Sequence, residues 1–305
     1  MLNTHNAAHS QDKAAPQGIM AVIGEYIALT KPGIMALLLF TTLGAMMVAS
    51  SAVPDFWLII ATLTGGWMIA GGANAYNCVY DRDIDAIMPR TKKRGTANGS
   101  ISALNAFLFA TALTVGGFLI LGLGANWVAA FIGLAGNFYY SVIYTVILKR
   151  RTSQNIVIGG AAGAMPPLVG WAAVTGSIAA PAWILFALIF YWTPPHFWSL
   201  ALLKQGEYGR AGVPMLPNVS GEDETRKQIV LYTIMMVAIS LLLQPFGMGW
   251  IYLVSAAALG AWFIRLALQL LIDPTKARAR KTFFFSIWYV AGIFLAMSID
   301  ALLLG

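Results

Sequence analysis

Nine runs of about twenty apolar residues constrain this chain more than any other feature. They lie at 34–53, 56–79, 101–121, 126–147, 155–175, 181–203, 228–246, 250–272 and 282–304. A hydrocarbon core takes roughly 20 residues of helix to cross, and in lipid every backbone group must be satisfied within the span. The runs therefore predict an all-α polytopic membrane protein, a bundle of nine transmembrane helices formed by residues 31–305. Only 10% of the 305 residues are charged, against about a quarter in soluble domains, which excludes a cytosolic globular fold. The one cysteine, Cys78, cannot close an intrachain disulfide. Residues 1–30 are polar and then weakly amphipathic, with no apolar core or small-residue cleavage site of a signal peptide. They are expected to form a cytoplasmic segment lying on the membrane surface.

Orientation follows from where Lys and Arg fall, because positively charged loops stay cytoplasmic. Lys13 and Lys31 precede the first span, and Arg82, Arg90, Lys92, Lys93 and Arg94 follow the second. Lys149, Arg150 and Arg151 follow the fourth. Lys204, Arg210, Arg226 and Lys227 belong to the connection after the sixth, and Lys276, Arg278, Arg280 and Lys281 to that after the eighth. Eighteen of the nineteen basic residues thus fall on one side; Arg265, inside the eighth span, is close enough to its inner end to snorkel. This predicts an inner (plasma) membrane protein with a cytoplasmic N-terminus and an outside C-terminus. The long connections at 80–100 and 204–227 lie on the basic side, and loops of that length tend to carry function. The working end is expected to be cytoplasmic.

The second span ends in GGANAYNCVYDRDIDAIMPRTKKR, where Asn77, Asp81 and Asp85 recur at every fourth residue. On a helix they share an arc of roughly 80°, with Asn74 inside it and Asp83 on the opposite side. Two carboxylates spaced this way repel, so a cation is expected to offset them. Magnesium suits oxygen ligands and binds through one or two carboxylates plus substrate phosphates, which makes Asp81 and Asp85 the candidate ligands. Beyond Met88-Pro89, Arg90 and Arg94 can hold a polyanion. Lys92 and Lys93, taken singly, are read as topology charges, and Asp83 as a surface charge. Carboxylates, a divalent cation and a basic cluster beside an apolar bundle describe a site for a lipid-like diphosphate.

This NxxxDxxxD pattern resembles the UbiA-type membrane prenyltransferases. Three longer segments, YTVILKRRTSQNIVIGGAAGAMPPLVGW at 144–171, YWTPPHFWSLAL at 191–202 and EYGRAGVPMLP at 207–217, look like signature segments of the heme O synthases, the protoheme IX farnesyltransferase family. TKPGIMALLLFTTLGA at 30–45 is similar to that family's first span. The resemblance runs from about residue 25 to the C-terminus. It implies transfer of a farnesyl group from farnesyl diphosphate to a vinyl group of heme B with addition of water, yielding heme O for terminal oxidases. A downstream heme A synthase or oxidase assembly is then an expected partner, besides membrane lipid.

Carried over residue by residue, the resemblance places Asn77, Asp81 and Asp85 on the magnesium-diphosphate. Arg90, Arg94, Lys149 and Arg150 become clamps on its oxygens, and Tyr144 a substrate contact. The wider superfamily's second DxxxD pair is missing here; Glu207-Tyr208 fits the heme branch, and Arg210 could extend the clamp. An allylic cation needs a dry pocket with π-faces, for which Tyr139, Tyr140, Tyr144, Tyr191, Trp192, Phe197 and Trp198 are candidates. The acidic run 222–224 is read as a charge complement to a helix N-terminus.

His196, in TPPHFW, is the one histidine away from the polar N-terminus. An ionisable residue within a span is a functional candidate, and imidazole is a common heme ligand. Pro194-Pro195 is expected to break the helix just before it and free carbonyls that His196 could satisfy locally. A prenyltransferase with an aromatic or quinone-precursor acceptor would share the first motif without needing PPHFW. A CDP-alcohol phosphotransferase would open its motif with Asp-Gly, a dipeptide absent here. A transporter would place charges near the midplane, whereas Arg265 and Asp300 sit nearer span ends.

Overall fold

The computed structural model describes residues 18–304. Residues 1–17 of the expected N-terminal segment, Lys13 among them, and the C-terminal residue 305 lie outside the described residues. Along the chain run α1 (Ile19–Leu29), α2 (Pro32–Ser50), α3 (Phe56–Tyr80), α4 (Arg82–Ile87), α5 (Gly95–Asn98), α6 (Ala103–Gly124) and α7 (Trp127–Phe138). A π-helix (Tyr139–Leu148) extends α7, and α8 (Asn155–Gly163), α9 (Met165–Thr175), α10 (Ala180–Arg210) and α11 (Leu216–Val219) follow. The chain closes with α12 (Gly221–Leu241), α13 (Trp250–Ile272) and α14 (Lys276–Leu304). Among the described residues the elements are all helical.

Among the described residues, eight stretches are long and apolar enough to cross a membrane. The remaining expected span, the sixth, is the 31-residue α10, whose apolar character is diluted by Tyr191, Trp192, Pro194, Pro195 and His196. The fifth span is two helices, because Ala164 separates α8 from α9 and α9 carries Pro166 and Pro167 in its first turn, where a missing N–H costs no helical bond. The expected break at Pro194-Pro195 does not occur. α10 runs through both prolines and departs from helical geometry only at Lys204 (φ −119°, ψ 17°). The prolines leave the Phe190 and Tyr191 carbonyls without an N–H partner, while hydroxyls bond carbonyls on either side: Thr193 donates to Ile189 O at 2.9 Å and Ser199 to Pro195 O at 2.7 Å. Packing against α12 and α14 holds the rest, as neighbouring helices commonly do for prolines in membrane spans. His196 accordingly bonds to another helix and not to a local carbonyl.

Helix pairs approach closely where small residues meet, because lipid supplies no hydrophobic drive between helices and close packing substitutes for it. On α3 and α6, a methyl at Gly65 would lie 2.9 Å from Gly117 O, and one at Gly117 would lie 2.7 Å from Gly65 O. Neither backbone can yield without separating the pair. Gly117→Ala should therefore destabilise the protein by about 1–3 kcal/mol, the usual cost of overpacking, read as a lower midpoint of unfolding in detergent.

The charges inside spans have structural partners. Asp300 is buried and accepts from the Tyr252 N–H at 3.0 Å and from Gly249 N–H at the start of α13, where a carboxylate complements the helix dipole. Arg265 stacks over the exposed Trp262 ring at 4.9 Å. Glu222, Asp223 and Glu224 occupy the first turn of α12, and Arg226 pairs with the first two. On α1 the apolar Ile19, Met20, Ile23 and Ile27 are exposed, the face expected of a helix lying on a membrane surface.

Candidate active site

The helical hydrogen bonds carry on through the junction of α3 and α4: Asp81 N–H donates to Asn77 O at 2.9 Å and Asp85 N–H to Asp81 O at 2.7 Å. The four-residue spacing is thereby kept, and Asn77, Asp81 and Asp85 are each at most 3% exposed. Asp83 points the other way, with its side chain 61% exposed. Arg150 grips it bidentately at 2.7 Å, and this hydrogen-bonded guanidinium holds the Asp83 carboxyl down at about 2.

Each buried carboxylate has a basic partner. Lys149 forms an ion pair with Asp81, and Arg94 donates to Asp85 at 2.7 Å. Asn77 ties the group together: its Nδ2 donates to Asp81 Oδ2 at 2.7 Å and to Thr145 Oγ1 at 3.0 Å, while Lys31 donates to its Oδ1 at 2.6 Å. Burial pushes the Lys31 ammonium below its ordinary range. Asp81 Oδ1 is buried with no hydrogen-bond partner among the described residues, and Arg150 Nη2 lies 3.6 Å from it. An orphaned carboxylate oxygen beside a second carboxylate fits a hard divalent cation, which takes oxygen ligands.

The π-helix decides how Lys149 reaches this cluster. Tyr140 and Lys149 are nine residues apart, two and a half turns of an α-helix at about 3.6 residues per turn, hence opposite faces. Bonds to the fifth residue back, such as Lys149 N–H to Tyr144 O at 2.8 Å, widen each turn and bring nine residues close to two turns. Tyr140, Tyr144 and Lys149 then line the same cavity. The two tyrosine rings stack with centroids 5.4 Å apart.

That cavity has a volume of about 540 Å³. Its polar wall carries Lys31, Asn77, Asp85, Arg90, Arg94 and Lys149. A wall from α10 and α14 carries Trp192, His196, Phe197 and Phe283. Tyr208 joins the lining through α10 beyond its kink. Of the other residues singled out above, Arg150 is engaged with Asp83 and the Tyr80 carbonyl, and Glu207 pairs with Lys204 at 2.7 Å. Arg210 is exposed. None of these three is on the cavity lining, nor are Tyr139, Tyr191 and Trp198. Asp81, paired with Lys149, is not on the cavity lining either. Sequence reasoning treated Lys31 as a topology charge and overlooked Thr145 and Ser286; for Lys31 the available signal was its place in the TKPG segment.

The arrangement suits a substrate with an anionic head and an apolar body. A match to the UbiA prenyltransferase family spans residues 38–290. The chain belongs to that family. Within it, the chain is 50% identical over 295 residues to a protoheme IX farnesyltransferase of Gloeobacter violaceus, covering 96% of both chains. It is 48% identical to one of Roseiflexus sp., spanning 95% of this chain and 54% of that longer protein. Among solved structures, a digeranylgeranylglyceryl phosphate synthase superposes with a TM-score of 0.76 at 20% identity, over 92% of this chain and 98% of that one. A UbiA homolog from Archaeoglobus fulgidus, bound to DMAPP and Mg2+, gives 0.62 at 15% identity, over 90% and 99%. The UbiA fold thus accounts for nearly the whole chain.

Proposed function

We propose that this membrane prenyltransferase transfers the farnesyl group of farnesyl diphosphate to a vinyl group of heme B, giving heme O. One observation carries the reading: a single cavity joins the carboxylate and basic cluster to a wall holding His196 between aromatic rings. The polar wall suits the diphosphate and the aromatic wall a porphyrin. The named relatives are protoheme IX farnesyltransferases, and the Archaeoglobus homolog binds its prenyl diphosphate with magnesium.

Asp81 and Asp85 would hold magnesium, with Asn77 orienting Asp81. When bound, the metal draws charge from the leaving diphosphate oxygens. The residues of the chain do the rest. Lys31, Arg90, Arg94 and Lys149 stabilise negative charge as the allylic C–O bond breaks, an electrostatic effect enlarged in a water-poor site. Tyr140 and Tyr144 offer π-faces to the farnesyl cation. The terminal vinyl carbon bonds to farnesyl C1, leaving a cation at the inner vinyl carbon. Water adds there and releases a proton, which completes the hydroxyethylfarnesyl group.

Purified protein incubated with heme B, farnesyl diphosphate and magnesium should yield a product heavier than heme B by one farnesyl group and one hydroxyl. Prenylation of an aromatic quinone precursor, with heme B unchanged, would overturn the acceptor. The one-sided loop charges support a site on the cytoplasmic side. A reporter active only outside the membrane should therefore be silent when fused near residue 95 and active at the C-terminus; the reverse pattern would move the site to the other face.

A further inference from the structure

His196 on α10 and Ser286 on α14 are 90 residues apart in sequence, and Nδ1 of the ring lies 2.7 Å from Ser286 Oγ. The same hydroxyl lies 2.6 Å from the Phe283 carbonyl oxygen. A carbonyl only accepts, so the serine proton points to Phe283 and an Oγ lone pair faces the imidazole. Nδ1 must then carry the ring proton and donate it, which leaves the lone pair on Nε2. Nε2 makes no hydrogen bond among the described residues, and the ring belongs to the cavity lining.

The ring is fixed in orientation as well as in tautomer. Trp192 stacks on it with centroids 4.4 Å apart at 19°, and Phe283 lies near-parallel to it at 4.7 Å and 26°. Trp192 is itself anchored, because its Nε1 donates to the Ser286 carbonyl at 2.7 Å. Ser286 therefore bonds His196 through its hydroxyl and Trp192 through its backbone. A core histidine needs partners for its polar atoms; here one nitrogen is partnered and the other is left available beside the cavity. Imidazoles that bind metals have this form, with the second nitrogen donating to an outer group that sets tautomer and direction.

We infer that Ser286 is a positioning residue that holds His196 with its Nε2 lone pair toward the cavity, where it ligates the iron of the porphyrin acceptor. This rests on the heme reading above, adding a ligand to it and a residue that aims the ligand. Neither Ser286 nor Phe283 lies in a segment that carried the family resemblance.

The test is titration of the whole protein, in nanodiscs, with ferric protoporphyrin IX and with metal-free protoporphyrin IX, following the Soret band. Wild type should bind the ferric form with a shifted Soret band and at least tenfold more tightly than the metal-free form. Ser286→Ala should weaken ferric binding by about 10- to 100-fold, the scale for losing an outer partner of a ligand, and leave metal-free binding unchanged. Ser286→Thr, which keeps the hydroxyl, should restore it. His196→Gly should lose the shifted band, and added imidazole should bring it back. Equal weakening of both porphyrins by Ser286→Ala, or an unaltered band in His196→Gly, would overturn the inference while leaving the heme site standing. Wild type that binds neither porphyrin would instead remove the heme reading itself. Retained farnesyl diphosphate binding shows that a variant is folded; if Ser286→Ala fails that control, Ser286→Thr and the imidazole rescue of His196→Gly decide.

Discussion

Asp81→Ala and Asp85→Ala should each lower turnover by about 10²-fold or more, the scale of losing a principal electrostatic stabiliser, while Asp83→Ala changes it little. All three belong to one short acidic stretch, so composition alone treats them alike. Geometry separates them: Asp81 and Asp85 are buried on one stripe with Asn77, and Asp83 is turned outward to Arg150. The orphaned Oδ1 of Asp81 adds a second expectation, that its loss weakens magnesium dependence more than it weakens folding. Steady-state rates over a magnesium titration check both, and equal losses at Asp83 and Asp81 would refute the role of the stripe.

Lys149→Ala should also cost about 10²-fold in turnover, whereas Arg150→Ala should cost little despite being the next residue. Lys149 lines the cavity and pairs with the buried Asp81, so its removal takes from that carboxylate its closer cation, with Arg150 left at 3.6 Å, and from the diphosphate a clamp. Arg150 spends its short hydrogen bonds on the exposed Asp83 and reaches the buried Asp81 only at 3.6 Å, and exposed pairs contribute about 0–1 kcal/mol. Parallel measurements of kcat and of farnesyl diphosphate affinity on the two variants distinguish them. A larger defect at Arg150 would mean that the π-helix does not direct Lys149 as described.

The contrast between these neighbours marks where sequence reasoning stops. In an α-helix, residue 149 faces away from Tyr140, and nothing in YYSVIYTVIL announces a change of turn. The wider turn follows from the packing of this segment against α3 and α8, which supply contacts that repay a poorer local geometry. The same limit applies to the clamp. Lys149, Arg150 and Arg210 are equal as charges near a membrane surface, and only the folded loops decide that the first reaches the cavity and the other two do not.

The membrane spans, the one-sided charge and the register of Asn77, Asp81 and Asp85 were legible because each depends on local chemistry. A run of apolar residues must pair its backbone internally in lipid, and a four-residue period sets a stripe wherever the helix continues. What depended on distant residues was not legible. Lys31 reaches Asn77 across 46 positions and Ser286 reaches His196 across 90; α10 keeps its helix through Pro194-Pro195 because α12 and α14 pack beside it. Side-chain period is a property of one segment and can be read along it, whereas a partner from another helix is chosen by the packing of the whole bundle, which no single segment encodes.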